Sequence, residues 1–245
     1  LFSFFKNKTV LDDLIPKDHV DFHSHILFGI DDGAKTPEDS LLLAKSLQDK
    51  GCSQLITTPH VMYSVWENTS EGILSRLKQT QTMLQQHGVS IPVRAAAEYL
   101  IDSFFVQRLK SEELLTIGGN HVLVEMSYLN APIQLYDIIF EIQLAGYTPV
   151  LAHPERYSFY HRNFKEYAKL KDAGCKFQVN LLSAVGYYGQ SVAETADRLL
   201  SEDYIDFAGS DVHHSRHIAA FSKRLVIKSE KKLEQALLNN AIFKF

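Results

Sequence analysis

Two short stretches, Asp21-Phe22-His23-Ser24-His25 and Gly29-Ile30-Asp31-Asp32-Gly33, set two imidazoles and a pair of carboxylates close together in the chain. Side chains alternate between the faces of a β-strand, so His23 and His25 point the same way and can grip one ion together. Further residues of the same chemistry recur downstream: His60 in Thr57-Thr58-Pro59-His60, Glu98 after Ala95-Ala96-Ala97, Glu125 in Val124-Glu125-Met126, His153 in His153-Pro154-Glu155-Arg156, and Asp211 with His213 in Asp211-Val212-His213. Taken singly, His60 and His153 could be hydrogen-bonded loop histidines and Glu98 could pair with a nearby basic residue. Together they read as a metal site, because a carboxylate inside an apolar run is costly to bury unless it is paired or bound to a cation.

Five histidines and four carboxylates are too many for one ion, which predicts two or three divalent metals. A nitrogen and oxygen donor set without cysteine suits Mn, Fe or Zn, with Mn favoured here.

The elements that must position these residues are legible as short apolar runs at 20–25, 53–58, 91–97, 121–127, 148–152, 176–181 and 204–208, separated by amphipathic stretches that stop at glycine. This alternation is the pattern of βα units around a parallel sheet. Helix signals include Thr36 as N-cap with Pro37 in the first turn and Gly51 at the stop. Stretches 71–87, 133–145 and 163–173 end at Gly88, Gly146 and Gly174, and 229–241 reads as a closing helix. The candidate donors fall at the C-terminal ends of six of the seven runs, where parallel barrels build their active sites. The sixth run ends in Asn180 and supplies no obvious ligand.

The chain has 245 residues, 45% hydrophobic and 22% charged, with a formal charge of -4. It reads as one folded domain over 1–245, with 1–17 as an N-terminal tail whose Leu1-Phe2-Ser3-Phe4-Phe5 would dock on the barrel or on a neighbouring subunit. The negative charge disfavours broad nucleic-acid binding. No apolar run approaches the roughly 18 residues of a membrane span, and Cys52 and Cys175 read as small core residues in a cytoplasmic protein. Neither cysteine has an arginine six residues later, so a catalytic thiolate paired with such an arginine is not expected.

These motifs together resemble the polymerase and histidinol phosphatase (PHP) superfamily of metal-dependent phosphoesterases over about 20–225, and more closely the bacterial capsule-type protein-tyrosine phosphatases. The resemblance implies a distorted (β/α)7 barrel with a three-metal centre. Asp32, His60 and His213 would share one ion; His23, His25, Glu98 and Asp211 would hold another; Glu98 would bridge to a third, held with Glu125 and His153. It implies that Arg156, and with a less regular spacing Arg216, grips the phosphoryl oxygens while metal-activated hydroxide attacks phosphorus. The implied substrate is phosphotyrosine on protein, the tyrosine-rich tail of a bacterial tyrosine kinase controlling capsule or exopolysaccharide synthesis. A histidinol-phosphate or other small-molecule phosphomonoesterase would reuse the same metals, and a non-catalytic metal-binding scaffold is the reading outside enzymes. Oligomeric state is open.

Overall fold

The computed structural model describes residues 8–245, so the apolar segment 1–5 lies outside the described residues. The described residues form nine strands and eight α-helices, in order: β1 His19–Asp21, α1 Pro37–Asp49, β2 Cys52–Thr57, β3 His60–Val61, α2 Ser70–Gln86, β4 Val93–Ala95, β5 Glu98–Leu100, α3 Ser103–Ser111, β6 His121–Glu125, α4 Leu135–Leu144, β7 Thr148–Ala152, α5 Lys165–Asp172, β8 Lys176–Asn180, α6 Gln190–Ser201, β9 Phe207–Gly209, α7 Ser215–Ala220 and α8 Glu230–Asn239. All strand pairs are parallel. Such sheets are covered on both faces, which is why the central strands are buried almost throughout.

Helix ends follow the sequence signals. The Thr36 hydroxyl accepts from the Asp39 N–H while the Asp39 carboxylate accepts from the Thr36 N–H, a reciprocal cap that starts α1 beside Pro37. Thr69 caps α2 and Asp102 caps α3 in the same one-sided way. Helices α3, α6 and α7 were not signalled by the sequence.

The seven expected runs become nine strands in two sheets, ordered β1-β2-β4 and β3-β5-β6-β7-β8-β9. The break falls at Thr58-Pro59 between β2 and β3 and at Ala96-Ala97 between β4 and β5. Proline cannot donate a ladder bond. Pairing continues irregularly there, through Ala96 N–H to the Thr57 carbonyl at 2.8 Å and Glu98 N–H to the Pro59 carbonyl at 3.1 Å. Just after β1 and β9 the two segments approach each other: Ser24 and Val212 form a parallel bridge, and the Asp211 N–H donates to the His23 carbonyl at 2.7 Å.

Inside the strands lies an apolar cluster containing Phe22, Phe207 and Phe243. Phe243 comes from the 3-10 turn Asn240–Phe243 that follows α8 and packs 4.7 Å from Phe22 and 4.9 Å from Phe207, ring centre to ring centre. A larger cluster fills the space between sheet and helices. Leu11 and Leu14, in the 3-10 turn Leu11–Leu14, are buried in it. Among the described residues no helix is long and apolar enough to cross a membrane.

Candidate metal centre and catalytic cleft

The strand ends bring all nine expected donors together. His23, His25, Glu98, Glu125, His153 and Asp211 are buried, and Asp32, His60 and His213 stand nearer the solvent. Above them opens a cleft of about 410 Å³ lined by six of the nine, by Arg156 and by an apolar rim of Met62, Val65 and Trp66. His23, His25 and Glu98 form its floor, out of reach of the lining.

Local backbone makes this convergence possible. Gly33 must be glycine, because a Cβ there would collide with the His25 carbonyl and Cβ. A Cβ on Gly209 would come within 2.7 Å of the His23 Cβ and 2.8 Å of the Gln178 amide nitrogen. His153 and Asp211 adopt left-handed backbone, φ 36° and 50°, a strained choice for residues with a Cβ. His153 also precedes Pro154, which further restricts it.

His23 and His25 are each oriented by a neighbour. His23 Nδ1 sits 2.7 Å from Gln178 Oε1, and His25 Nδ1 sits 2.8 Å from Asp31 Oδ2. The other ring nitrogens therefore face inward, as in metal sites where an outer hydrogen bond fixes the imidazole. Asp31 is thereby spent as a brace, also accepting from the Gly33 N–H at 2.9 Å, and its neighbour Asp32 is left for the cluster. Asn180 donates to Asp211 Oδ2 at 2.7 Å.

Around His23 and His25 the inward atoms have the spacing of ligands rather than of hydrogen-bond partners, whereas His153 Nε2 and Glu98 Oε1 meet at hydrogen-bond distance, 2.9 Å. His23 Nε2 and His25 Nε2 are 3.4 Å apart; His23 Nε2 lies 3.3 Å from both Glu98 Oε2 and Asp211 Oδ1, and His25 Nε2 lies 3.4 Å from each. Tetrahedral coordination at about 2.0–2.1 Å spaces ligand atoms about 3.3–3.4 Å apart. Glu98 Oε2 and Asp211 Oδ1 are buried without a hydrogen-bond partner, and His60 Nδ1 meets Glu125 Oε1 at 2.9 Å without lining up for a hydrogen bond, a costly state for buried polar atoms unless a cation engages them. The donor set therefore fits divalent ions.

Within 4.8 Å the ligand atoms group as His25, Asp32, His60 and His213; as His23, Glu98 and His153; as His23, His25 and Asp211; and as His60, Glu98 and Glu125. His60 stands between two groups, with Nε2 3.3 Å from Asp32 and Nδ1 2.9 Å from Glu125.

Charge follows the same geometry. Burial would raise Glu98, yet His23, His60 and His153 hold it well below the usual carboxylate range. Burial likewise opposes ionisation of Asp211, which His23 and His213 nevertheless keep far below its ordinary value. The floor is thus lined by ionised carboxylates.

Arg156 reaches the cleft from the 3-10 turn Pro154–Arg156. Its guanidinium lies between the rings of Tyr188, 4.2 Å away, and Tyr128, 4.8 Å away, and donates from Nη1 to Asp211 Oδ2 at 3.0 Å. Stacking on two aromatic faces fixes its plane and leaves further N–H groups for a ligand. Arg216 is placed differently: it is exposed on the first turn of α7 and outside the cleft lining, where His214 and His217 stand instead. Burial, with His214 and His213 nearby, lowers His217 to about 4, so its ring is neutral at pH 7.

Sequence reasoning did not single out Gln178, Asn180, Tyr128 or Tyr188. Only the alternation Gln178-Val179-Asn180 signalled that the sixth run turned polar side chains toward one face.

A parallel α/β framework with a buried His, Asp and Glu cluster at the strand ends defines the class. The sequence pattern described as capsular polysaccharide synthesis, CpsB/CapC, matches residues 19–244, and the chain belongs to that family. It is 29% identical over 196 residues to the tyrosine-protein phosphatase YwqE of Bacillus subtilis, covering 80% of this chain and 77% of that one. It is 28% identical over 203 residues to the tyrosine-protein phosphatase CpsB of Streptococcus pneumoniae, covering 80% and 83%. A crystal structure from work on YwqE and CpsB, described as unique metal-dependent tyrosine phosphatases, superposes with a TM-score of 0.76 at 26% identity over 90% of this chain and 94% of that chain. Histidinol phosphate phosphatase from Lactococcus lactis shares the fold, with a TM-score of 0.55 at 13% identity over 84% and 91%.

Proposed function

We propose that this chain is a metal-dependent protein-tyrosine phosphatase acting on phosphotyrosine in a bacterial tyrosine kinase of a capsule or exopolysaccharide system. The observation that carries the proposal is the coincidence, in one cleft, of unpartnered buried donor atoms with a guanidinium clamped between two tyrosine rings. The framework is read as a single-domain, distorted (β/α)7 barrel closed by the contacts between the segments after β1 and β9.

The proposed ligands are His23, His25, Glu98 and Asp211 for one ion, Asp32, His60 and His213 for a second, and Glu125 and His153 with Glu98 for a third, Mn being favoured. When bound, such ions activate water as the nucleophile and offset phosphoryl charge. Arg156 binds the non-bridging oxygens through N–H groups not used by Asp211, matching charge that spreads over them during transfer. Tyr128 and Tyr188 hold its plane, and Asn180 fixes the carboxylate on which it rests. Phenol has a pKa near 10, low for an alcohol, so expulsion of a tyrosine side chain needs no assigned general acid. Arg216 would reach the oxyanion only from outside the lining, and phosphate binding is assigned to Arg156.

An open mouth favours a protein over a small alcohol phosphate. Met62, Val65 and Trp66 line the mouth, Val65 being 57% exposed, so apolar surface meets the entrance. The test compares phosphate release from a phosphotyrosyl peptide and from histidinol phosphate, with Mn and after chelation. Metal-dependent turnover with a higher kcat/KM on the peptide is expected; a preference for histidinol phosphate would reassign the substrate.

A further inference from the structure

The catalytic cleft does not end at its own rim. Met62 lines it and also lines an adjoining groove of about 420 Å³ between the loop after β3 and helix α3. Asp102, the N-cap of α3, lines that groove and a third hollow of about 420 Å³ that extends to Ile133. Sharing first Met62 and then Asp102 as wall residues, the three hollows lie in series as a trough leading away from the metal cluster. Each has the size of a ligand pocket, about 300–1,000 Å³.

Its surface combines apolar and aromatic side chains with polar ones. Tyr63, 51% exposed, and Phe104, 41% exposed, stack with ring centres 3.5 Å apart and planes 10° from parallel, although each ring still shows a large area to water. Ile133 at the far end is 103% exposed. Contiguous exposed apolar surface of this kind marks a binding site more often than a free surface.

The charges lining the groove are mostly negative. Glu67, Asp102 and Glu112 face only Arg108, whose Nη1 is already committed to Glu112 Oε1 at 2.7 Å. The trough therefore repels an acidic segment and accepts apolar or aromatic side chains.

We infer that this trough holds the polypeptide segment flanking the phosphotyrosine of the substrate, and that it selects apolar or aromatic flanks over acidic ones. The inference rests on the phosphatase reading above and adds a recognition surface outside the metal cluster. Continuity through Met62 identifies the occupant, because a chain whose phosphate lies at the cluster must leave the cleft across an edge, and this edge opens onto matching surface.

The test uses the full chain loaded with Mn, two phosphotyrosyl peptides that differ only in aromatic or aspartate-rich flanks, and p-nitrophenyl phosphate, which has no flank. Phe104→Ala removes half of the stacked pair; Ser111→Trp, at an exposed position of the groove wall, fills it without touching the core. Each variant is expected to lower kcat/KM about tenfold on the aromatic peptide, mainly through KM, as for loss of one anchoring contact, with turnover of p-nitrophenyl phosphate unchanged. Wild-type enzyme is expected to favour the aromatic peptide over the acidic one.

Equal losses on peptide and p-nitrophenyl phosphate, or no loss on the peptide, would overturn the inference while leaving the phosphatase reading intact. A Phe104→Ala variant whose only change is a smaller oligomer would assign the face to a second copy and overturn it too. Failure of the wild-type chain to hydrolyse any of the three substrates would remove the phosphatase reading itself, and this inference with it.

Discussion

At the end of the sheet where β6 and β9 begin, Phe22, Phe207 and Phe243 pack ring against ring, and Asn240 donates to the carbonyls of Val20 and Ala208 at 3.0 and 2.7 Å. At the opposite end, Glu98 and Asp211 are buried with carboxylate oxygens that have no hydrogen-bond partner, and buried Glu125 meets only the His60 ring, at 2.9 Å. One end is closed by an apolar plug whose Asn240 amide is satisfied by backbone. The other keeps charge in a low-dielectric setting where it is stable only among opposite charges. His19 is an exception at the closed end: burial lowers it to about 4 and its neutral ring is unpartnered. The contrast separates residues that hold the fold from residues held by it.

The contrast breaks most severely if the donors are removed. Glu98→Gln and Asp211→Asn are expected to lower kcat by roughly 10³-fold or more, because a bound metal supplies several kcal/mol of transition-state stabilisation. The purified variants should remain folded by circular dichroism and bind less metal by atomic emission. In the wild-type chain, Mn at about 100 times its Kd should raise Tm by roughly 5–10 °C, since only the folded state gathers the donors. An unchanged Tm would mean that the cluster does not bind the ion.

Arg156→Ala should lower kcat/KM by roughly 10²- to 10³-fold while keeping the metals, the range for losing one preorganised donor to a charged transition state. Arg156→Lys should recover part of this, because it keeps the charge and loses the planar fork. Loss of metal from the alanine variant would show instead that Arg156 supports Asp211, on which it rests in the structure.

At the apolar end, Phe243→Ala should destabilise the fold by roughly 3–5 kcal/mol, read from denaturant unfolding, with little change in activity per folded molecule. A large fall in kcat without lost stability would contradict the separation of the two ends.

Smaller effects are expected from residues that the strand ends do not bring into the cleft. The thiols are buried; burial pushes Cys175 up to about 12 and Cys52 well above its ordinary value, so neither is a nucleophile at neutral pH. Replacing both with alanine should keep turnover within about fivefold, allowing for packing losses. Arg216→Ala, at an exposed position, should change kcat/KM by less than about threefold, an effect of the size of a screened surface charge. A loss as deep as that of Arg156→Ala would restore Arg216 to the phosphate site.

What the sequence disclosed follows from the same division. Metal-type donors are strong local signals, since their types, order and strand-end positions are visible without packing, and all nine come together. Helix α1 was visible for a similar reason, through Thr36, Pro37 and Gly51, and α2 through its stop at Gly88. Helix α6 was not: Gly189 supplies no side-chain cap to mark its start, although its buried face, with Ala193, Ala196, Leu199 and Leu200, is one-sided. The split of the expected strands at Thr58-Pro59 and Ala96-Ala97 depends on pairing across the sheet, which no single run displays. Arg216 shows the limit of motif spacing. Successive helix residues differ by about 100° in direction, so α7 turns His217 inward and Arg216 out to solvent. Gln178 and Asn180 acquire their roles only through His23 and Asp211, far away in sequence.

Anomalous scattering, measured at the Mn, Fe and Zn edges from crystals grown with Mn, tests the central claim most directly. The account predicts anomalous peaks bounded by His23, His25, Glu98 and Asp211, by Asp32, His60 and His213, and by Glu98, Glu125 and His153, with at least two sites filled. Crystals of active protein with no anomalous peak among these residues would contradict the metal assignment and the phosphatase mechanism built on it.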